Sequence, residues 1–226
     1  MSAMALAALA ACGQPADGPT EGDADAVAAA PTPAAPQGRF EPRNECIELP
    51  GAKAFFLALE NAVRMRDANL LLSNTSADVQ LDFGGGAGLV TLRERLSDKD
   101  GQLWRALDSA TMLGCARADN GEMVMPWYAA QPMDDLDPTR SMIVTGKDVP
   151  LRSAAAADGP QLATVSWDAV ALTDGLDPAG TFQKVTLADG TQGYIETAML
   201  RSPLDYRLRV APVGDGWQIV SFVNGD

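Results

Sequence analysis

Apolar positions in the first half of the chain recur at helical spacing. Phe55, Leu59 and Val63 would share one face of a helix, while Lys53 and Glu60 lie on the opposite face. The same spacing predicts helices over residues 68–72, 89–96 and 103–113, the first capped by Asp67 and the last stopped by Gly114.

The segment 78–83 alternates instead, with Val79 and Leu81 between polar neighbours, which predicts a half-buried strand. Four glycines at positions 84, 85, 86 and 88 follow it. A dinucleotide-binding fingerprint would need glycine at position 89, where the chain has Leu89. We therefore interpret the glycine cluster as a strand-to-helix turn that needs unusual backbone angles.

Short strands separated by Gly, Asp and Pro dominate the chain after residue 140 and predict a small barrel. The candidate strands are residues 142–145, 149–152, 162–165, 170–173, 182–186 and 192–195. The last 23 residues read as a β-hairpin, in which Leu208 and Val210 alternate with Arg207 and Arg209. A lone hairpin is marginal in water, so we expect it to join the sheet of the first domain.

Three short motifs in this region resemble bacterial Src-homology-3-like domains. They are the opening segment 144–153 with its Leu151-Arg152-Ser153, the segment 182–185, and the closing segment 189–195 followed by Leu200. The resemblance spans residues 141–202 and implies a small all-β barrel. In that family the fold commonly recognises cell-wall material or partner proteins.

The remainder resembles, at lower specificity, the nuclear-transport-factor-2-like α+β fold. Helices, one strand, more helices and a terminal hairpin around Trp217 and Ile219 carry this likeness. It implies an α+β domain over residues 39–140, completed by the hairpin 204–226, with the barrel 141–203 inserted between them. Such folds often enclose a pocket, and the candidate lining residues here are Asp67, Asp78, Asp82, Trp104 and Tyr128.

The N-terminal segment has the form of an export signal. A short apolar run leads into Leu9-Ala10-Ala11-Cys12-Gly13, which resembles the lipobox of bacterial lipoproteins. That resemblance implies lipidation at Cys12, which becomes the first residue of the mature protein, and Gly13 in place of Asp favours the outer over the inner membrane. The alternative is an alanine-rich, disordered N-terminus with a chance cysteine.

Residues 13–38 are mostly Ala, Pro, Gly and acidic residues, with no aromatic and no basic residue. Such a composition cannot bury enough apolar surface to offset the entropy of ordering. We expect a disordered tether between the lipid and the folded part. Its prolines favour extended conformations that lengthen a spacer.

Charge and composition exclude several function classes. The formal net charge is −13 and no basic stripe is visible, which argues against nucleic acid and against charge-driven membrane adhesion. The chain contains no histidine, so catalytic triads with histidine and histidine-based metal sites are excluded. We predict no cofactor and no metal site.

Two pairs of residues remain as candidates, one for a disulfide and one for a binding surface. Cys46 and Cys115 form a disulfide if the protein is exported, or are two buried free thiols otherwise. Trp127 and Tyr128 either form an exposed binding platform or seal the junction between the domains.

These patterns predict a lipid-anchored, non-catalytic binding or scaffolding protein of the bacterial cell envelope, facing the periplasm. The expected partner is peptidoglycan or another envelope protein, and contact with the membrane is expected through the Cys12 lipid alone. The alternative is a small-ligand carrier or a histidine-free enzyme, of the isomerase or dehydratase kind, that uses a pocket in the α+β domain.

Overall fold

A computed structural model describes residues 38–225, which contain four α-helices and twelve β-strands. The helices are α1 (Ala52–Met65), α2 (Ala68–Ser73), α3 (Gly88–Leu96) and α4 (Gln102–Met112). The strands are β1 (Thr75–Gln80), β2 (Ala116–Arg117), β3 (Met123–Met125), β4 (Ser141–Val144), β5 (Val149–Arg152), β6 (Gln161–Val165), β7 (Ala169–Leu172), β8 (Phe182–Thr186), β9 (Gln192–Glu196), β10 (Leu200–Arg201), β11 (Arg207–Val213) and β12 (Gly216–Val223). The protein is an α+β fold with few helices and large antiparallel sheets.

Local chemistry explains where the first helices begin and end. Arg66 takes a left-handed conformation (φ 50°) and ends α1. The Asp67 carboxylate then accepts hydrogen bonds from the backbone N–H groups of Asn69 and Leu70, at 2.9 and 3.0 Å, and caps α2. The predicted cap is therefore confirmed.

The first sheet has the strand order β1-β12-β11-β3-β2, with β1 parallel to β12 and the other neighbours antiparallel. The C-terminal hairpin β11–β12 thus occupies the centre of a sheet whose other strands come from the first half of the chain. Leu208, Val210, Ile219 and Phe222 point from this hairpin into the core beneath the helices. The hairpin therefore joins the sheet of the first half of the chain, as expected from the sequence.

The strand predicted over residues 78–83 begins and ends earlier, at Thr75–Gln80. The earlier end arises at Asp82, whose carboxylate accepts hydrogen bonds from the backbone N–H groups of Gly84 and Gly86 and so turns the chain. Strand β3 carries no alternating pattern, since Met123, Val124 and Met125 are all buried.

The second sheet has seven antiparallel strands in the order β10-β4-β7-β8-β9-β5-β6. Its buried residues, including Val144, Leu151, Val185 and Ile195, form a core of their own. This arrangement is consistent with an all-β, barrel-like part.

Trp127 and Tyr128 lie in a third cluster of buried residues, with Phe40, Leu113 and Ile143, between the two sheets. They are only 3% and 2% exposed. The exposed binding platform is therefore wrong, and the alternative, a sealed junction, is the one observed. Burial of these large rings removes much apolar surface from water, and the Trp127 indole still finds a polar partner.

Arg201 of β10 also crosses this junction. Its guanidinium donates hydrogen bonds to the Ser109 hydroxyl of α4 and, at 2.6 Å, to the backbone carbonyl of Tyr206. The side chain is buried and its nearest carboxylate is that of Asp205, 3.6 Å from Nε. A charged group so placed ties the second sheet to both the helices and the hairpin.

Cys46 and Cys115 are joined at disulfide distance, with an S–S separation of 1.95 Å and a Cα–Cα separation of 5.9 Å. Two backbone hydrogen bonds flank the pair: Glu45 N–H donates to the Cys115 carbonyl, and Cys115 N–H donates to the Arg43 carbonyl. The segment before α1 is thereby held against the segment after α4.

Cys12 and the proposed tether lie outside the described residues. Among the helices of residues 38–225, none has the length and apolar character needed to cross a membrane.

Candidate ligand groove

The face of the first sheet that points away from the helices forms a groove of about 660 Å³, here called the sheet groove. Its lining residues come from every strand of that sheet and from the adjoining loops: Glu45, Gln80, Phe83, Arg117, Ala118, Asp119, Val124, Ala129, Ala130, Gln131, Arg207, Arg209, Ser221 and Val223. Ligand pockets commonly measure about 300–1,000 Å³, so the groove is large enough for a small molecule or a short peptide.

The register of the strands sets the floor of the groove. Gln80 of β1 pairs with Ser221 of β12, Ser221 pairs with Arg209 of β11, and Arg209 pairs with Val124 of β3. Side chains at paired positions on one face lie about 5 Å apart at Cβ. The polar groups of Gln80, Ser221 and Arg209 therefore form one row across the sheet.

A β-bulge makes this row possible. The pairing between β11 and β12 shifts between Arg209 and Val210, so that Arg209 faces Ser221 whereas Val210 faces Ile219. As a result Ser221 and Val223 reach the groove while Ile219 and Phe222 stay in the core under the helices. The bulge lets β12 present core residues on one side and groove residues on the other.

Three arginines lie around the floor, and they differ in their ion-pair and hydrogen-bond partners. Arg209 pairs with Glu122, whose Oε2 lies 2.6 Å from Nη2 and 2.7 Å from Nε. Arg207 donates from Nη2 to the backbone carbonyl of Gly225 and contacts no carboxylate within the described chain. Arg117 is exposed at the rim, and its guanidinium has no hydrogen-bond partner among residues 38–225.

Glu45 forms part of the wall and is held by two donors. Its Oε1 accepts a hydrogen bond from the indole Nε1 of Trp127 at 2.8 Å, and its Oε2 accepts one from the backbone N–H of Arg117 at 3.3 Å. The Arg43 guanidinium lies 4.5 Å from the centre of the Trp127 ring on the same side of the junction. A hydrogen bond between Glu45 and Trp127 thus connects the wall of the groove to the buried junction.

Ser221 is the polar residue most enclosed by the floor. It is 6% exposed, and its hydroxyl makes no hydrogen bond to any residue in the described part of the chain. Its oxygen is not among the buried side-chain atoms that lack a partner in the described chain, which are Nε of Arg152 and Nε of Arg201, so the hydroxyl carries no unpaired cost. The Ser221 side chain lies on the same face of the sheet as the side chains of Arg207 and Arg209.

The glycine-rich loop after β1 has its amides engaged within the protein. Asp82 accepts from Gly84 N–H and Gly86 N–H, each at 2.8 Å, and also pairs with Arg95. The hydrogen bond from Arg95, followed by those from the glycine amides, lowers the pKa of the Asp82 carboxyl. The loop serves as a turn that sets Phe83 at the edge of the sheet groove, as expected of a strand-to-helix turn.

The residues expected to line a pocket do not come together. Asp67 caps α2, Asp78 is exposed on β1, and Asp82 holds the glycine loop. The indole of Trp104 donates to the backbone carbonyl of Leu96 inside the helical layer, and Tyr128 lies in the junction. The predicted pocket lining is wrong, because each of these residues serves a separate local structure.

Sequence reasoning missed the groove residues, although one pattern pointed to them. The alternation of Leu208 and Val210 with Arg207 and Arg209 places two arginines on one face of a strand. Only the central position of this strand in the sheet, as opposed to an edge position, shows that those arginines share a concave surface with Ser221.

Comparisons with known proteins leave the family open. No protein-family model matches the chain, and no curated protein matches it. One solved structure, that of Aln2 from a Streptomyces species, is similar at 12% identity with a TM-score of 0.30, over 76% of this chain and 85% of that one. A likeness at this level supports no argument about shared fold or function.

Proposed function

We propose that this chain is a lipid-anchored, non-catalytic binding protein of the bacterial cell envelope, and that it recognises its partner through the sheet groove. The observation that carries the proposal is the open, polar face of the first sheet, where Arg207, Arg209 and Ser221 of the central hairpin share one side. The arginines of this concavity are balanced by Glu45, Asp119 and Glu122, so the groove offers hydrogen-bond donors without a net charge and favours a polar, hydrogen-bonding ligand.

The chemistry of the groove fits binding better than nucleophilic catalysis. Ser221 is the hydroxyl of the floor, but among the described lining residues there is no lysine or tyrosine to accept its proton. Glu45, an acid of the wall, has both carboxylate oxygens engaged by Trp127 and Arg117. The other acid of the lining, Asp119, stands on the exposed loop after Arg117, and no hydrogen bond joins it to Ser221 in the described chain.

The envelope location rests on the N-terminal motif. Cys12 follows a short apolar run, and the acidic, proline-containing segment after it suits a spacer between a lipid and the folded part. A disulfide-distance pair at Cys46 and Cys115 fits an oxidising compartment such as the periplasm. Peptidoglycan is the partner we favour, with an envelope protein as the other candidate of the same class.

We also propose that the second sheet is a bacterial Src-homology-3-like barrel. The three motifs that carry the resemblance fall on β5, on β8 and on β9 with the turn before it. The junction residues and Arg201 tie this part firmly to the first sheet. We propose that it supports the groove-bearing domain and adds a second surface for the wall.

A small-ligand carrier is the alternative that one observation favours. The groove volume of about 660 Å³ falls in the range of small-molecule pockets. A carrier would bind a soluble metabolite and would not sediment with insoluble wall material. The two functions therefore separate in one experiment.

That experiment uses the full chain with the change C12S, so that no lipid complicates sedimentation. We expect the protein to sediment with purified peptidoglycan sacculi, and to be released by soluble muropeptides prepared from the same sacculi. Absence of sedimentation would contradict a wall-binding role. Radiolabelled palmitate should label the unmodified chain in cells and leave the C12S chain unlabelled, whereas equal labelling would overturn the assignment of Cys12.

A further inference from the structure

We propose that the sheet groove binds the glycan strand of the wall, an uncharged chain of N-acetylated pyranose rings, with one ring stacked on Phe83 and its hydroxyls hydrogen-bonded to Arg207 and Gln80. This inference rests on the proposed function, because it names the part of the wall that the same groove would recognise. It commits to the glycan, and recognition of the stem peptide is one of the outcomes of the test.

The charges around the groove cancel. Three guanidinium groups and three carboxylates lie in or beside the lining: Arg117, Arg207, Arg209, Glu45, Asp119 and Glu122. Arg209 and Glu122 form a direct ion pair, with nitrogen–oxygen distances of 2.6 and 2.7 Å. A charged ligand would meet groups of both signs, so no net attraction selects it. A neutral ligand with many hydroxyls is the class that this surface matches.

The polar side chains of the groove offer both donors and acceptors. Arg207 donates from Nη2 to the Gly225 carbonyl, while its Nε and Nη1 make no hydrogen bond within residues 38–225. Gln80 donates from Nε2 to the Asp82 carbonyl at 3.3 Å, which leaves its Oε1 as an acceptor. A sugar hydroxyl both donates and accepts, so an arginine and a glutamine together satisfy it. A carboxylate only accepts and would use the arginine alone.

Phe83 and Arg207 are brought together at Gly225. A Cβ atom built on Gly225 would lie 4.0 Å from Cδ2 of Phe83, and the Gly225 carbonyl accepts from Arg207. The Gly225 N–H in turn donates to the Leu204 carbonyl at 2.7 Å, which anchors this residue at a φ of 85°. The aromatic ring and the guanidinium group therefore both contact one anchored residue at the end of the groove.

The exposed ring of Phe83 gives this end of the groove an apolar platform. The side chain is 57% exposed and belongs to the groove lining. A single exposed ring needs no explanation by itself, but here it stands beside hydrogen-bonding groups. The C–H groups of a pyranose carry a small positive charge and are attracted to the face of an aromatic ring, while its hydroxyls need polar partners. Val223, which pairs with Arg207 in register, adds an apolar contact for an acetyl methyl group.

The backbone of the groove floor is closed to strand addition by a peptide. Strand β11 pairs with β12 on one side and with β3 on the other, and β12 pairs with β11 and β1. Peptides that bind to sheets gain affinity by adding a strand at an open edge, where main-chain groups are unpaired. The groove lies over the face of central strands, so side chains alone contact the ligand. This arrangement suits a sugar, which has no peptide backbone to pair.

The first arm of the test separates the two parts of the wall. Sacculi are digested with an N-acetylmuramoyl-alanine amidase, which yields peptide-free glycan strands and free stem peptides. The full chain carrying C12S should bind the glycan strands as tightly as it binds intact sacculi, and the stem peptides at least tenfold more weakly. Affinity for the glycan should change by less than about twofold between about 0.05 and 0.5 M salt, because a neutral ligand forms no screened ion pair.

The second arm uses variants of Phe83 and Arg207. F83A should weaken glycan binding by about fivefold, and F83Y should retain parental binding because tyrosine keeps the ring face. R207Q should weaken binding by about tenfold. The matched controls are L57A, an exposed apolar residue of α1, and R93Q, an exposed arginine of α3, and both should bind like the parent. Because R207Q also removes the contact with Gly225, the two Phe83 variants decide the outcome if R207Q fails to fold.

A soluble probe tests the same site without the wall. The β-1,4-linked tetramer of N-acetylglucosamine is titrated into the full C12S chain and followed by NMR. We expect the amide signals of Gln80, Phe83 and Gly225 to shift in the parent, and to shift less in F83A at the same tetramer concentration.

The outcomes separate the two proposals. Binding of sacculi and stem peptides without binding of peptide-free glycan would overturn the glycan site and leave the wall-binding function standing. Failure to bind sacculi, with Phe83-dependent binding of the soluble tetramer, would support the sugar site and overturn the wall-binding function. A loss of glycan affinity of more than about tenfold over the salt range would contradict a neutral ligand. Failure of every probe would overturn the glycan site together with the function on which it rests.

Discussion

Glu45 and Trp127 stand 82 positions apart in the chain, and the indole Nε1 of Trp127 donates a 2.8 Å hydrogen bond to the Glu45 carboxylate. The other oxygen of Glu45 accepts from the backbone N–H of Arg117, which begins the loop at the edge of the sheet groove. One carboxylate therefore connects the buried junction between the sheets to the wall of the candidate ligand site.

Removing this carboxylate should destabilise the protein. We expect E45A to lower the free energy of unfolding by about 1–2 kcal/mol, because the buried indole N–H loses its acceptor. The matched control is E48A, since Glu48 makes only an exposed ion pair with Lys53 and should cost less than about 0.5 kcal/mol. Urea unfolding measures both changes, and equal stability of the two variants would contradict the role of Glu45.

The disulfide should matter more for stability than any single surface contact. Cys46 and Cys115 are 69 positions apart, and closing a loop of that length stabilises by about 4 kcal/mol in the chain-entropy model. The double change C46A/C115A should therefore shift the urea midpoint markedly downwards. Equal midpoints for the oxidised parent and the double variant would show that the bond contributes nothing to the folded state.

The terminal hairpin should be indispensable to the first domain. Phe222 of β12 is 2% exposed in the core beneath the helices, so F222A should cost about 3–5 kcal/mol. Phe83, at 57% exposed, is the matched control, and F83A should cost less than about 0.5 kcal/mol. Limited proteolysis tests the same point, since a fragment lacking residues 204–226 that stays as protease-resistant as the parent would rule out a core role for the hairpin.

Stability should fall at high pH because of Tyr128. Burial in the junction raises the pKa of its phenol from 10.0 to about 12, so the folded state keeps a proton that the unfolded chain releases. The folded protein binds more protons than the unfolded chain between pH 10 and 12, and stability therefore decreases as pH rises through this window. The loss attributable to Tyr128 approaches about 2–3 kcal/mol near pH 12.

The change Y128F removes the ionising group and keeps the ring. The difference in unfolding free energy between parent and Y128F should be nearly constant from about pH 7 to 9 and should move in favour of Y128F above about pH 10. Parallel pH profiles for the two proteins would show that the Tyr128 phenol ionises equally in the folded and unfolded states.

Much of the fold could be predicted from local patterns. The spacing of Phe55, Leu59 and Val63 and the cap at Asp67 specify α1 and the start of α2, because amphipathic spacing and capping are properties of neighbouring residues. The short strands of the second sheet follow from their alternation and punctuation in the same way. The observed bounds differ from those expected by a few residues at the ends.

The sheet groove could not be predicted, because it depends on contacts between distant parts of the chain. Ser221 and Gln80 are brought together by the parallel pairing of β12 with β1, and Val124 joins them through a strand that has no alternating pattern. Trp127 shows the same limit, since its sequence neighbourhood fits an exposed platform as well as a buried junction. Its burial is decided by Phe40 and Ile143, which come from distant segments.

Photo-crosslinking in intact cells tests the central claim most directly. A photoreactive amino acid placed at Ala130, an exposed residue of the groove lining, should capture cell-wall glycopeptide in the envelope fraction. The same amino acid at Val90, exposed on α3 in the helical layer, should capture none. Equal capture from both positions, or recovery of the protein from the cytosol without any wall adduct, would contradict an envelope protein that binds its partner through the sheet groove.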